Sequence, residues 1–124
     1  IIGVQAEGAS AVSDTWHSGR WTTSETADTW AEGMATRVPA EMTLEIMREV
    51  VDDVLLVSDD DLRRACRTYL DQTHNLVEGA GAASLAAAVV HRERFQGQTV
   101  VGIVSGGNLD PAELPEILAC EPFG

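Results

Sequence analysis

The fold is decided by the stretch Thr99-Val100-Val101-Gly102-Ile103-Val104, which is followed at once by Ser105-Gly106-Gly107-Asn108. The first six residues are mostly apolar and β-branched, which predicts a buried strand. Asp110 and Pro111 then predict the start of a helix, because proline is favoured at the first helical position. The order of strand, glycine-rich loop and helix is typical of an open α/β sheet.

The loop from Ser105 to Asn108 follows the carboxyl end of this predicted strand, where ligands collect in open α/β sheets. Gly106 and Gly107 have no Cβ, so the backbone can approach a planar or anionic group closely. The Ser105 hydroxyl can donate or accept a hydrogen bond. A tight strand-to-helix turn that needs glycine for a positive φ explains the loop equally well. The residues alone leave both interpretations open.

Upstream of this stretch, strands and helices alternate. Strands are predicted at residues 1–4 and 53–57, and helices at Gly8–Trp16, at Thr43–Val51 with Thr43 as N-cap, after Ser58 with Asp61 in a capping box, and at Glu78–His91. This alternation predicts an α/β fold with a partial, mostly parallel sheet of three strands and flanking helices. Such a narrow sheet leaves unprotected edges, which invite pairing with another chain.

The length and the first residues set the domain organisation. The chain has 124 residues, the length of a single domain. It begins in mid-strand at Ile1-Ile2-Gly3-Val4, without an initiator methionine or a lead-in. We therefore expect it to be a piece of a longer protein.

The composition excludes several classes of partner. The net charge is −12, and all eight basic residues are arginine, so the chain contains no lysine. An acidic surface repels phosphate backbones, which argues against nucleic acid. No apolar run approaches the roughly 18 residues of a membrane span, and no signal peptide is visible. We expect a cytoplasmic protein without membrane contact, in which Cys66 and Cys120 are reduced thiols.

Two further stretches have simple structural explanations. Gly79 and Gly81 form a Gly-x-Gly pair, but no strand precedes it, which disfavours a nucleotide site and favours close helix packing. Glu78 lies where an acid complements the N-terminus of the following helix. The acids at 59–61 are explained by the same macrodipole rather than by a metal ion. The three histidines share no zinc-ligand spacing.

Five motifs follow one another along the chain: Ile1-Ile2-Gly3-Val4, Ala31-Glu32-Gly33, residues 44–57, Val77-Glu78-Gly79-Ala80-Gly81-Ala82 and Val104-Ser105-Gly106-Gly107-Asn108. In this order they resemble the C-terminal half of threonine/serine dehydratases and serine racemases, which are fold-type II pyridoxal-phosphate enzymes. The resemblance implies that residues 1–124 are one C-terminal portion of a tryptophan synthase β-like fold. The regulatory domain of biosynthetic threonine dehydratases is not expected, because the chain stops at Gly124.

The resemblance implies pyridoxal 5'-phosphate as cofactor and suggests its contacts. Ser105 matches the serine that hydrogen-bonds the pyridine nitrogen, Gly33 a backbone position beside the 3-oxygen, and Glu78 the acid beside the ring. The loop around the ring edge corresponds to Gly106, Gly107 and Asn108. A hydroxyl partner leaves the ring nitrogen largely unprotonated, which tunes the cofactor toward expulsion of a β-hydroxyl group.

The sequence departs from the family at a metal site. Some relatives hold a divalent ion just after the first strand, and the matching positions here are Gln5, Ala9 and Ala11. These side chains lack the anionic oxygens that a hard cation favours, so no metal is expected.

The Schiff-base lysine of the family, like its phosphate-binding loop, belongs to the N-terminal half. This chain has no lysine, so no catalytic residue is assigned to it. We expect it to be inactive alone and to need the N-terminal half of the same enzyme as partner.

The leading hypothesis is a piece of an L-threonine/L-serine dehydratase, which forms 2-oxobutanoate or pyruvate and ammonia from its amino-acid substrate and is expected to be a homo-oligomer. A piece of a serine racemase, or a non-catalytic α/β domain that acts in binding or assembly, stays open.

Overall fold

The structure, a computed structural model that describes all residues 1–124, contains one sheet of two parallel strands. Strand β1 (Ile2–Ala6) pairs with β2 (Asp53–Val57), with Ile2 opposite Asp53 and Ala6 opposite Val57. The connection between the strands contains α1 (Ala11–Ser18), a short 3-10 helix (Glu32–Met34) and α2 (Glu41–Val50). After β2 come α3 (Asp59–Thr73), α4 (Gly79–Val90) and α5 (Leu114–Ala119).

The predicted α/β class and the parallel pairing are confirmed, but the prediction of three strands is wrong. Residues 99–104 form neither a strand nor a helix. A strand exists only when a neighbour completes its hydrogen-bond ladder, and this segment is paired with neither β1 nor β2. Its apolar side chains are not buried either, since Val101 is 85% and Ile103 75% exposed. A 3.1 Å hydrogen bond from Ser84 Oγ to the carbonyl of Ile103 connects the segment to α4.

The ends of the helices follow local chemistry. The predicted capping box of α3 is confirmed, because Ser58 Oγ accepts from Asp61 N at 3.1 Å and Asp61 Oδ2 accepts from Ser58 N at 3.3 Å. The prediction of Thr43 as N-cap of α2 is wrong, since the helix begins at Glu41 with Ala40 as N-cap. Proline disfavours helical backbone at the residue before it, which agrees with a helix that begins only after Pro39.

The core lies where α3 and α4 pack together over the sheet. The buried part of α4 consists of small residues: Gly79, Gly81, Ala82, Ala83, Ala86 and Ala87. Small side chains let its backbone come close to α3, which contributes Leu62, Ala65 and Cys66 to the core. The prediction that the Gly-x-Gly segment serves close packing is therefore confirmed. None of the helices is both long and apolar enough to cross a membrane.

Candidate functional site

Three segments that are far apart in sequence meet at one cavity. Its volume is about 490 Å³, and its walls are residues 30–33, 78–80, 108–111 and Glu113. The first wall, residues 30–33, includes the start of the 3-10 helix Glu32–Met34. The second wall, residues 78–80, is the N-terminus of α4, and the third wall, which begins at residue 108, is the loop that leads to α5. The cavity therefore brings together three of the six residues that the sequence analysis selected: Gly33, Glu78 and Asn108.

Glycine is required where the first two walls meet. A Cβ on Gly33 would lie 2.8 Å from the Ala80 Cβ, and a Cβ on Gly79 would lie 2.5 Å from Cζ3 of Trp30. Both distances are shorter than carbon atoms tolerate. The absence of side chains at these two positions thus lets the Gly33 segment lie directly against the start of α4.

The third wall is fixed by a contact between Glu78 and Gly106. The Glu78 N–H donates to the Gly106 carbonyl at 3.3 Å. A Cβ on Gly106 would lie 2.1 Å from Glu78 Oε1, and a Cβ on Gly81 would lie 2.4 Å from the Gly106 oxygen. Neither Gly106 nor Gly107 has a positive φ. The glycines of this loop serve close approach, so the interpretation as a positive-φ turn is wrong.

Ser105, Gly106 and Gly107 do not line the cavity themselves. Ser105 is exposed, so its hydroxyl is accessible. A Cβ on Gly107 would lie 2.7 Å from the Leu76 carbonyl oxygen, which again indicates close backbone packing. The loop thus runs past the rim of the cavity, and Gly106 links it to Glu78.

The cavity is strongly acidic. Four carboxylates line it, from Glu32, Glu78, Asp110 and Glu113, and no basic side chain does. Such a wall repels a phosphate group. The side chains at this cavity therefore do not suit an anionic group.

The other residues considered from the sequence have structural roles. Gln5 is buried and its side-chain oxygen accepts from Ser13 N at 2.8 Å, which ties β1 to α1. Ala9 and Ala11 are buried in the core region. Asp61 caps α3, whereas the side chain of Asp60 is 89% exposed.

Two ionisable groups elsewhere have shifted pKa values. Burial raises the pKa of the Cys66 thiol to about 12. Burial also acts to raise the pKa of Asp53, but hydrogen bonds from Val54 N, Arg94 and His17 outweigh it and hold that pKa below its usual value. His17 Nε2 lies 2.9 Å from Asp53 Oδ1.

Sequence reasoning missed Asp59 as a partner of the loop before the cavity, and it missed Trp30 as a wall. Asp59 accepts hydrogen bonds from Thr29 Oγ1 and from Trp30 N. Because about thirty positions separate the partners, no local pattern indicates the pairing. The one available signal was Trp30 itself, a large aromatic residue directly before Ala31-Glu32-Gly33.

Comparisons with known proteins point to one family. The profile described as "Pyridoxal-phosphate dependent enzyme" matches residues 1–106. The catabolic L-threonine dehydratase TdcB of Escherichia coli (strain K12) is 37% identical over 119 residues, which cover 94% of this chain and 36% of that protein. The chain therefore spans little more than a third of the length of this relative.

Two solved structures show the same fold. A threonine deaminase from T.th. superimposes with a TM-score of 0.82 at 37% identity, over 88% of this chain and 40% of that one. Maize serine racemase superimposes with a TM-score of 0.82 at 28% identity, over 95% of this chain and 37% of that one.

Proposed function

This chain belongs to the family of pyridoxal-phosphate dependent enzymes, and from that membership we propose that it is the C-terminal part of an L-threonine/L-serine dehydratase. The names of the dehydratase and deaminase relatives support this substrate class. The observation that carries the proposal is the meeting of Gly33, Glu78 and Asn108 at one cavity, with Gly106 against Glu78.

The residues of this region fit one edge of pyridoxal phosphate. Because Gly33, Gly106 and Gly107 have no Cβ, their backbones lie directly against Ala80, Glu78 and Leu76, which fixes the two segments that we assign to the ring edge. The Ser105 hydroxyl is accessible and is a suitable partner for a ring nitrogen. The carboxylates of the cavity do not suit the phosphate, so we assign the ring edge to this chain and the phosphate to another part of the enzyme.

In this proposal the cofactor contacts are Ser105, Gly106, Gly107, Asn108, Gly33 and Glu78. Bound pyridoxal phosphate supplies an electron-withdrawing ring, which makes loss of the α-proton and of the β-hydroxyl group from a hydroxy-amino acid feasible. Ser105 would hold the ring through its nitrogen and, as a neutral partner, would favour the unprotonated form of that nitrogen. Glu78 would place a carboxylate beside the ring, and Gly33 would present backbone from the adjoining wall, which lies against Ala80.

The covalent attachment of the cofactor requires an amine that this chain lacks. A lysine is the side chain that forms such a bond, and residues 1–124 contain none. We infer that another part of the parent protein supplies the lysine and that the chain is inactive alone.

The surface supports a large contact with the rest of the enzyme. The accessible area is 7484 Å² for a mass of 13.3 kDa, whereas a compact monomer of that mass exposes roughly 6,500 Å². Large exposed apolar residues concentrate in the segment 99–104: Val100, Val101, Ile103 and Val104. We propose that the N-terminal half of the enzyme covers this segment and that the complete enzyme is a homo-oligomer.

The experiment is a product assay on the full-length protein with L-threonine and L-serine. We expect 2-oxobutanoate and pyruvate, together with ammonia. Ser105→Ala should lower kcat about tenfold or more, since the ring loses its nitrogen partner. The control Ser24→Ala, on the loop after α1, should leave kcat unchanged. Release of no 2-oxo acid from either amino acid would refute the proposal.

A racemase is the second candidate, because maize serine racemase has the same fold over 95% of this chain. The two functions differ in the fate of L-serine. A racemase yields D-serine, whereas a dehydratase yields pyruvate. Chiral chromatography of the L-serine reaction decides between them, and a product that is mainly D-serine would favour the racemase.

A further inference from the structure

A single carboxylate outside the cavity holds the loop that leads to Gly33. Asp59, the first residue of α3, accepts a 2.6 Å hydrogen bond from Thr29 Oγ1 and a 2.7 Å hydrogen bond from Trp30 N. Residues 19–31 contain neither helix nor strand, so regular backbone pairing does not define their path. The two bonds fix the chain three residues before Gly33.

The backbone of Asp59 is held at the start of α3. It follows the N-cap Ser58 in a helix of 15 residues, and the capping box between Ser58 and Asp61 closes the first turn. A carboxylate in the first turn of a helix is also stabilised by the macrodipole. The backbone that carries the acceptor oxygens of Asp59 is therefore held in place by the helix.

The same helix also holds the ring of Trp30. The guanidinium of Arg63, one turn after Asp59, lies 5.0 Å from the centroid of that ring. Arg63 is positioned in turn by Glu116 of α5 at 3.4 Å. The indole Nε1 is buried without a hydrogen-bond partner, so the ring is held by stacking and by its close fit to Gly79. Helix α3 thus fixes Trp30 at both its backbone and its ring.

We propose that Asp59 is a positioning residue of the cofactor site. By holding Thr29 and Trp30 it sets the distance of the Gly33 wall from the N-terminus of α4. This inference rests on the proposed function, because the Gly33 wall is the part of the cavity assigned to the cofactor. Without the carboxylate, the Trp30 N–H and the Thr29 hydroxyl lose their acceptor, and the remaining hydrogen bond to the chain just before the wall is that from Asp28 N to the Gly8 carbonyl at 2.8 Å. The site would then bind its planar ligand less tightly.

The test compares Asp59→Ala with Asp60→Asn in the full-length protein. Asp60 is the control in the same helical turn, since it also loses one negative charge but has an 89% exposed side chain. Its ion pair is with Arg63 at 3.5 Å, and Arg63 keeps its second partner Glu116 when that pair is removed. Amide hydrogen exchange at residues 30–34 of the cofactor-free protein reports the loop. Quenching of tryptophan fluorescence by pyridoxal 5'-phosphate reports the affinity. Thr29→Val, which removes one of the two bonds, serves as a milder variant if Asp59→Ala does not fold.

We expect Asp59→Ala to speed exchange at Trp30 N and to weaken cofactor binding about tenfold or more, as loss of two charge-assisted bonds implies. Asp60→Asn should change neither by more than about twofold. Unchanged exchange in Asp59→Ala and Thr29→Val would overturn the role of Asp59. Faster exchange with unchanged affinity would overturn its role toward the cofactor. If the wild-type protein binds no cofactor, the proposed function itself fails, while the exchange data still decide whether Asp59 holds the loop.

Discussion

The segment 99–104 is joined to the cavity wall at 108–111 by the loop 105–107, but the two regions are packed in opposite ways. At the cavity, glycines let three segments touch, so that Gly106 lies against Glu78 and Gly33 against Ala80. In the segment just before it, Val101 and Ile103 are 85% and 75% exposed. The first region is closely packed within this chain, whereas the second carries large apolar side chains that nothing in this chain covers. This difference supports the proposal that the N-terminal half of the enzyme covers residues 99–104.

The largest expected effect is a difference in alkylation rate between the two thiols, one in the core and one nearer the surface. Cys66 is buried and its pKa is raised to about 12, whereas Cys120 is only partly buried. Since the thiolate is the reactive form, a pKa near 12 leaves about one Cys66 in ten thousand ionised at pH 8. Mass spectrometry after iodoacetamide treatment of the native full-length protein should find Cys120 alkylated at least about a hundredfold faster. Equal rates would show that the core between α3 and α4 opens readily.

The next effect tests the close contacts at the cavity. Gly81→Ala places a Cβ 2.4 Å from the backbone oxygen of Gly106, which cannot move without shifting the loop. We expect it to lower the free energy of unfolding by about 2 kcal/mol, even after the usual gain of alanine over glycine in a helix.

Gly106→Ala is the informative control for Gly81→Ala, because its new Cβ meets mainly the end of the Glu78 side chain. That side chain can rotate away, so the cost in urea denaturation should be below about 1 kcal/mol. If the two variants were equally stable, backbone contact would not be what makes Gly81 necessary.

Substitution in the exposed segment 99–104 should have a smaller effect on stability, which depends on the proposed contact with the N-terminal half of the enzyme. Val101→Asp in the full-length protein should lower the free energy of unfolding by about 1.5 kcal/mol or more, because the proposed contact buries the valine. Gln98→Asp, at an exposed polar position of the same loop, should change it by less than about 0.5 kcal/mol. Thermal unfolding measures both. A harmless Val101→Asp would mean that the segment stays exposed in the complete enzyme.

The smallest expected effect is on stability, and it concerns Asp53 at the N-terminal end of β2. Asp53 has a lowered pKa in the folded state through its bonds with Val54 N, Arg94 and His17. Its contribution is therefore present above the unfolded pKa of about 3.9 and is lost as the pH falls through the folded value. Asp53→Asn should cost about 1 kcal/mol at pH 7, and this cost should shrink as the pH falls below about 3.9. A cost that is independent of pH would show that the charge of Asp53 does not contribute to stability.

The parts of the fold that local chemistry determines could be predicted from the sequence. The strand Asp53–Val57 and the capping box of Ser58 and Asp61 depend on adjacent residues and lie where they were predicted. The strand at 99–104 could not be judged in this way, because a β-branched run becomes a strand only beside a partner.

In the candidate site, too, features carried by local motifs could be predicted, whereas contacts between distant residues could not. The glycine loops and Glu78 could be found from motif order, and Gly33, Glu78 and Asn108 do line one cavity. The hydrogen bonds from Thr29 and Trp30 to Asp59 could not be found, since the partners are distant in sequence. Their meeting depends on where α3 lies against the loop, which only the folded chain determines.

The central claim, that this chain holds the ring edge of the cofactor while the lysine lies elsewhere, has a direct test. Borohydride reduction of the full-length protein with bound pyridoxal 5'-phosphate fixes the cofactor to the amine that carries it, and peptide mass spectrometry identifies that residue. We predict a labelled lysine outside residues 1–124, since this chain contains no lysine. A label on any side chain of residues 1–124, or no label at all, would contradict the claim.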